Sequence, residues 1–185
     1  DWYLRQGTLE QITATMGSKL PSWRTFVEHP SYDAFWQAKA VERVWTKTTV
    51  PTLTVGGFWD QEDFFGPIAI YKALEPNDTQ ALNRIVIGPW NHGQWGRGDG
   101  GALDQINFKS PAGRYFREKI QAPFFAFYLK DKGTLPVGEA TVFESGANAW
   151  RTYTSWPPKD AATKSFYLHP EGKLSFDPPR SGAAF

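Results

Sequence analysis

The spacing of apolar residues predicts a strand, a helix and a second strand between residues 50 and 94. Residues 50–60 and 83–92 are two short apolar runs, and each predicts a strand that ends just before the last residue of the run. The segment between them, residues 64–74, has apolar side chains at helical spacing: Phe65, Ile68, Ala69 and Ala73. Two strands joined through a helix by short connections form a βαβ unit, so we expect them to be parallel and adjacent or nearly so.

A residue that can take part in chemistry follows each predicted strand. Asp60 follows the first strand and His92 follows the second. Open α/β sheets carry their functional groups at the carboxyl ends of strands, so the two side chains are expected to face each other. A carboxylate at one ring nitrogen makes an imidazole an effective general base, because it fixes the tautomer and stabilises the charged form. Alternatively, Asp60 caps a strand end and His92 is a hydrogen-bonded loop residue.

The segment after His92 predicts a loop and then a long helix. Residues 93–101 are rich in glycine and indicate a mobile loop, and they lack the Gly-Lys-Ser/Thr ending of a phosphate-binding loop. Pro111 is a favourable first residue for a helix that reaches about Lys130. We expect this helix to pack on the sheet and to be kinked at Pro123.

The first 47 residues predict short helices that form a cap. Ser22 and Ser31 are candidate helix caps, the second for a helix from Tyr32 to about Val44. The aromatic residues of this region favour a lid over a pocket at the Asp60 and His92 loops, lined by Tyr32, Trp36 or Trp59. A small helical subdomain without a substrate role is the alternative.

Asp33 has two interpretations. Beside Tyr32 and Trp36, its carboxylate can receive the ammonium group of a substrate. It also lies in the first turn of a predicted helix, where a negative charge is favourable without any ligand, and this interpretation is preferred.

From residue 133 the chain changes character and predicts an all-β module. Lys132 to Pro136 resembles a linker. Short strands separated by Gly, Pro and Asn turns are predicted at residues 140–144, 150–154, 164–168 and 173–176. The sequence therefore divides into a helical cap (1–47), part of an α/β core (48–132) and the start of a β domain (133–185).

Composition excludes several classes of protein. The net charge of +1 argues against nucleic acid or an anionic membrane as a partner. No apolar run is long enough to span a bilayer. Because the chain has no Cys, disulfides, thiolate nucleophiles and Cys-based metal sites are excluded. Aromatic residues make up 16% of the chain, which suits a large core or a pocket lined by rings.

Several motifs together resemble one family of α/β-hydrolases. They resemble the α-amino-acid ester hydrolases, with the related glutaryl-cephalosporin acylases, cocaine esterase and X-prolyl dipeptidyl-peptidases. The matching segments are residues 29–36 (HPSYDAFW), 57–63 (GFWDQED), 88–92 (GPWNH), the helix around Pro123 and residues 148–157 (NAWRTYTSWP). The resemblance covers nearly the whole chain from about residue 20.

The resemblance implies an α/β-hydrolase core, a helical cap and a C-terminal jelly-roll domain. It also implies that Asp60 is the acid and His92 the base of a Ser-Asp-His triad. The nucleophile of such enzymes is a Ser in a Gly-x-Ser-x-Gly elbow, which this sequence lacks. We therefore expect the Ser to lie outside this chain, and the segment alone to be inactive.

The expected partners follow from this resemblance. They are a small-molecule ester or amide substrate and the remaining segments of the same enzyme, while a homo-oligomer stays open. No metal or organic cofactor is implied. A metal site at Asp60, Glu62, Asp63 and His92 is disfavoured because these residues divide over two loops and include one His. The choice between ester and amide, the acyl group and the leaving group stay open, and the family is compatible with a periplasmic or secreted protein.

A second functional class is a non-catalytic binding module. The β segment also resembles carbohydrate-binding jelly rolls, in which Trp150 and Trp156 would stack on a ligand. Packing of the two rings at a domain interface is the alternative, and it is preferred.

Overall fold

The computed structural model describes residues 1–17 and 19–179. Its strands, numbered along the chain, are β1 (Thr52–Gly57), β2 (Asn83–Gly88), β3 (Ala102–Leu103), β4 (Ile106–Asn107), β5 (Ala140–Glu144), β6 (Ala149–Tyr153), β7 (Tyr167–His169) and β8 (Lys173–Ser175). Its α-helices are α1 (Trp2–Gln6), α2 (Leu9–Met16), α3 (Pro21–Glu28), α4 (Ala34–Gln37), α5 (Val41–Val44), α6 (Phe65–Leu74), α7 (Ala112–Tyr115) and α8 (Ala122–Lys130).

The predicted βαβ unit is confirmed and forms one half of the central sheet. β1 and β2 pair in parallel, from Thr52 opposite Asn83 to Gly57 opposite Gly88. Helix α6 connects them and packs on one face of the sheet. A crossover helix is the usual way to join two parallel neighbours, so both strands end at the same edge of the sheet.

The predicted domain boundary at residue 133 is wrong for the next two strands. β5 pairs in parallel with β2, and β6 pairs antiparallel with β5, which gives the strand order β1-β2-β5-β6. Residues 140–153 therefore extend the α/β sheet instead of starting a separate β module. The physical reason is that four of the five residues of β5 are buried, so both of its faces are covered as in a strand inside a sheet.

Two apolar clusters cover the faces of this sheet. On the α6 face, Tyr71 packs against Ile85, Ile87, Ala140 and Val142. On the other face, the side chains of Val86, Trp90, Phe108, Phe116, Ile120, Phe124 and Phe143 form the larger cluster. Trp90 is fully buried at its centre, so the segment that follows β2 is anchored in the core.

The predicted helix after Pro111 is present in three parts. A π-helical segment, Phe116–Gln121, lies between α7 and α8. Pro123 is the second residue of α8, so the change from π-helix to α-helix lies directly before it. The expected kink at this proline stays a prediction.

The helical N-terminal region buries few of its side chains, in line with the exposed aromatic residues predicted there. Among the described residues of α2 to α5, none is buried. The predicted helix from Tyr32 to Val44 is two short helices, and its cap is Asp33, because that carboxylate accepts the first amides of α4. The cap predicted at Ser22 is also wrong, since α3 begins at Pro21 after Leu20.

The C-terminal part that follows β6 contains one small hairpin. β7 and β8 pair antiparallel, apart from the central sheet. The end of the predicted β domain, residues 180–185, lies outside the described residues, and the jelly roll stays a prediction. No helix in residues 1–17 or 19–179 combines the length and the apolar character required to cross a bilayer.

Candidate active site

Asp60 is positioned by a continuation of the β1–β2 pairing beyond the ends of the strands. The amide of Phe58 donates to the carbonyl of Gly88, and that of Trp59 donates to the carbonyl of Trp90, each at 3.0 Å. The amide of Asp60 then donates to Gly57, which turns the chain. A Cβ at Gly57 would collide with the backbone of Trp90, so this close approach requires glycine.

The Asp60 carboxylate is held by its own loop. Oδ1 accepts hydrogen bonds from the backbone amides of Glu62 at 2.8 Å and Asp63 at 2.9 Å. The side chain is only 2% exposed. Burial raises the pKa of Asp60, but the amides of Asp63 and Glu62 and the ring of His92 lower it more, so the net pKa lies below its usual range. This carboxylate is therefore ionised at neutral pH.

His92 follows β2 in a turn that its neighbours fix. Gly93 has a left-handed backbone with φ of 72°, which lets the chain turn immediately after His92. The side chain of Gln94 accepts the amide of Asn91 at 3.1 Å. Nη2 of Arg97 donates to the carbonyl of His92 at 2.7 Å. The imidazole itself is half exposed.

The two candidate catalytic side chains are in direct contact. Nδ1 of His92 lies 3.0 Å from Oδ2 and 3.2 Å from Oδ1 of Asp60. The predicted proximity is thereby confirmed, while the catalytic roles stay predictions. An ionised carboxylate only accepts hydrogen bonds, so Nδ1 carries the proton and Nε2 of the neutral ring keeps its lone pair. Nε2 lies 3.7 Å from Oε2 of Glu62, whose side chain is exposed.

The glycine-rich loop after His92 is anchored at several points, contrary to the expectation of a mobile loop. Nη1 of Arg117 donates to the carbonyl of Trp95 at 3.1 Å, and Nη2 donates to that of Gly98 at 2.7 Å. The amide of Gly113, at the beginning of α7, donates to the carbonyl of Asp99 at 2.9 Å. These partners come from the helix that packs on the sheet, so the loop is attached to the core.

Asp33 lies in a contact network of its own. Oδ1 accepts the amides of Phe35 at 3.0 Å and Trp36 at 3.4 Å, and Oδ2 lies 2.7 Å from Nδ1 of His29. The hydrogen bond from His29 is the main cause that lowers the pKa of Asp33. These contacts favour the structural interpretation, because both carboxylate oxygens already have protein partners.

The structure divides the predicted substrate-binding aromatics between two places. Tyr32 and Trp36 line an open groove of 450 Å³ with Phe65, at the beginning of α6. Trp59 lines a different cavity of 420 Å³, together with Phe58 and the side chains of Val142, Phe143, Tyr153 and Trp156. The cap contacts the sheet domain through α5 and α6, so the expected closure over the Asp60 and His92 loops stays a prediction.

The tryptophans proposed for ligand stacking pack against other rings. Trp150 stacks on Tyr115 with ring centroids 5.6 Å apart and also contacts Trp90 and Phe143. Trp156 packs on Tyr153 at the α6 face. Packing, the preferred interpretation, is favoured for both.

Sequence reasoning gave no role to two side chains that lie beside His92. The sequence suggests Glu62 only as a metal ligand, although its position two residues after Asp60 already places it near the predicted pair. Arg97 lies in a glycine-rich segment, and no sequence pattern indicates which carbonyl its side chain binds. Within the described residues, no group of three or more His, Asp or Glu side chains is arranged to hold a metal ion.

Comparison with known proteins gives consistent matches. Residues 4–94 match the model of the X-Pro dipeptidyl-peptidase (S15) family. Cocaine esterase of Rhodococcus sp. (strain MB1 Bresler) is 28% identical over 151 residues, which are 79% of this chain and 25% of that protein.

Solved structures agree over almost the whole chain. An aminopeptidase from the marine sediment archaeon Thaumarchaeota archaeon superposes with a TM-score of 0.86 and 40% identity, covering 96% of this chain and 30% of its own. An α-amino acid ester hydrolase superposes with a TM-score of 0.87 and 38% identity, covering 98% and 31%. The chain thus spans between a quarter and a third of the length of these relatives, which are hydrolytic enzymes.

Proposed function

Since this chain belongs to the X-Pro dipeptidyl-peptidase-like family of α/β-hydrolases, we propose that it supplies the acid and the base of a serine hydrolase. Asp60 and His92 are the proposed acid and base. The observation that carries this proposal is the contact of 3.0 Å between Nδ1 of His92 and Oδ2 of Asp60, at the carboxyl ends of two adjacent parallel strands.

The proposed mechanism assigns one task to each ring nitrogen of His92. Nε2 takes the proton from a Ser hydroxyl as its oxygen attacks the acyl carbon of an ester or amide, and then gives that proton to the leaving alcohol or amine. A water molecule, deprotonated in the same way, releases the acid and restores the Ser. Asp60 stays ionised throughout and stabilises the imidazolium through Nδ1.

The Ser is proposed to come from outside these residues. The sequence lacks a nucleophile elbow, and β1 is the outer strand of the described sheet, with no partner on its second edge among the described residues. A further parallel strand can pair there and bring a nucleophile to the same edge of the sheet as Asp60 and His92.

The proposed substrate is a small ester or amide, as the names of the relatives suggest. In the whole protein, residues 1–47 are proposed to form a cap, with Tyr32, Asp33, Trp36 and Trp59 contacting substrate. Residues 48–153 form the core, and the following residues begin a further β domain. Because Asp33 already pairs with His29, a substrate ammonium group would have to displace that contact.

Labelling of the full-length protein with a fluorophosphonate tests the proposal. We expect one Ser to be labelled in the wild type, and labelling to be strongly slowed in Asp60→Asn. Asp160→Asn, an identical change at an exposed position, is the matched control and should label like the wild type. The proposal is wrong if the wild type is not labelled, or if Asp60→Asn labels at the rate of the control.

A further inference from the structure

The carbonyl of His92 accepts a charged hydrogen bond from a residue five positions further along the loop. Nη2 of Arg97 lies 2.7 Å from this oxygen, at the short end of the range for donors that carry a full charge. The Arg97 side chain also passes over Gly93, close enough to contact a Cβ there. Among the residues that the structure describes, no carboxylate forms an ion pair with Arg97, and the carbonyl of His92 is the polar group that its side chain binds.

His92 needs such a contact because of its place in the fold. It lies two residues beyond Trp90, whose carbonyl accepts the last hydrogen bond of the extended β1–β2 pairing, and the left-handed Gly93 follows it. Its imidazole is half exposed, with Asp60 at Nδ1, Glu62 3.7 Å from Nε2 and the Trp95 ring edge-on at 6.2 Å. A change of backbone conformation at His92 would move its ring relative to Asp60, and the bond from Arg97 to the His92 carbonyl opposes such a change.

The rest of the loop is attached independently of Arg97. Arg117 binds the carbonyls of Trp95 and Gly98, and the amide of Gly113 binds Asp99. Loss of the Arg97 side chain therefore leaves the loop joined to the helix behind it. What is lost is the restraint on His92 itself.

We propose that Arg97 is a positioning residue that holds the imidazole of His92 in register with Asp60 through the His92 carbonyl. The inference rests on the proposed function, in which the orientation of this ring controls proton transfer. Arg97 acts through His92 and has no assigned contact with the substrate.

Kinetics of three variants of the full-length protein, with an ester substrate, give the first test. We expect Arg97→Met to lower kcat by about tenfold to hundredfold, because a misplaced base loses the reactive geometry. KM should stay within about twofold, since ground-state binding is untouched. Arg97→Lys should recover most of the loss, because a single guanidinium nitrogen makes the contact.

Arg114→Met is the matched control. Arg114 is another exposed arginine near the same loop; its side chain lies 3.6 Å from Asp99, and no hydrogen bond or ion pair joins it to His92. It should retain the kcat of the wild type. Equal losses in Arg97→Met and Arg114→Met, or an unchanged kcat in Arg97→Met, would overturn the proposal.

The tautomer of His92, measured by nitrogen NMR on labelled protein, gives a readout that does not need activity. We expect the wild type to hold the proton on Nδ1 of the neutral ring, and Arg97→Met to populate both tautomers. Should Arg97→Met fail to fold, Arg97→Gln takes its place in both measurements. A tautomer that responds to Arg97 in a protein without esterase activity would support the positioning role and refute the proposed function. A tautomer that does not respond would refute the positioning role.

Discussion

Two His–Asp pairs in this molecule have almost the same length and very different surroundings. Nδ1 of His29 lies 2.7 Å from Oδ2 of Asp33, and Nδ1 of His92 lies 3.0 Å from Oδ2 of Asp60. The first pair joins residues four positions apart in the cap, and the second joins residues 32 positions apart at two strand ends. Distance alone therefore does not identify a catalytic pair.

The partners of the carboxylate and of the imidazole separate the two. The Asp33 side chain is 38% exposed and caps a four-residue helix, whereas that of Asp60 is 2% exposed. The imidazole of His29 stacks on Phe35 with centroids 4.2 Å apart, so its ring is used in packing. The imidazole of His92 is half exposed, and its Nε2 lies 3.7 Å from Oε2 of Glu62. Of the two pairs, the one at the strand ends combines a buried carboxylate with a half-exposed imidazole.

Removal of each histidine should produce the largest difference. In the full-length protein, we expect His92→Ala to lower kcat by roughly 10⁴-fold to 10⁶-fold, because the base is lost. His29→Ala should leave kcat close to that of the wild type and affect only the cap. Steady-state ester hydrolysis measures both, and similar losses in the two variants would remove the distinction between the pairs.

Removal of each carboxylate should separate the pairs by stability. Asp60→Ala should lower the free energy of unfolding by about 1–3 kcal/mol, because the amides of Glu62 and Asp63 lose a charged acceptor. Asp33→Ala should have a smaller effect, since its contacts are local and exposed to water. Urea denaturation of the full-length protein tests this expectation, which a larger loss in Asp33→Ala would contradict.

The stability that Asp60 contributes should depend on pH. Its pKa is lower in the folded than in the unfolded state, so the ionised group stabilises the fold above the unfolded pKa of about 3.9. That contribution disappears as the pH falls through the folded pKa. The gap in unfolding free energy between wild type and Asp60→Asn should therefore shrink as the pH falls below about 4. A gap that grows in acid would mean that the sign of the pKa shift is wrong.

The pattern of apolar residues predicts the individual strands and helices of the core but not how the strands are ordered in the sheet. The helix of the βαβ unit and β5 are predicted within one residue of their observed ends, and both strands of the unit lie inside the predicted apolar runs. The sequence did not predict that β5 belongs to the central sheet. The segment Lys132–Pro136 resembles a linker, and nothing in it indicates that β5 pairs with β2.

At the site, the sequence indicated the pair but not its supports. Asp60 and His92 were predicted from their positions after strands and from the family resemblance. The long-range contacts of Arg97 and Arg117 could not be predicted, because a glycine-rich segment carries no signal for the side chains that anchor it. Asp33, and not Ser31, caps α4, and the same carboxylate contacts His29. Helix-cap propensities do not include such a side-chain contact, so they do not distinguish the two residues.

The most direct test of the central claim is a crystal structure of the full-length protein after fluorophosphonate labelling. The account predicts one labelled Ser, with its oxygen within about 3.2 Å of Nε2 of His92, while Nδ1 stays on Asp60. A labelled residue elsewhere, or Nε2 of His92 turned away from the labelled Ser, would contradict the assignment of this pair as acid and base.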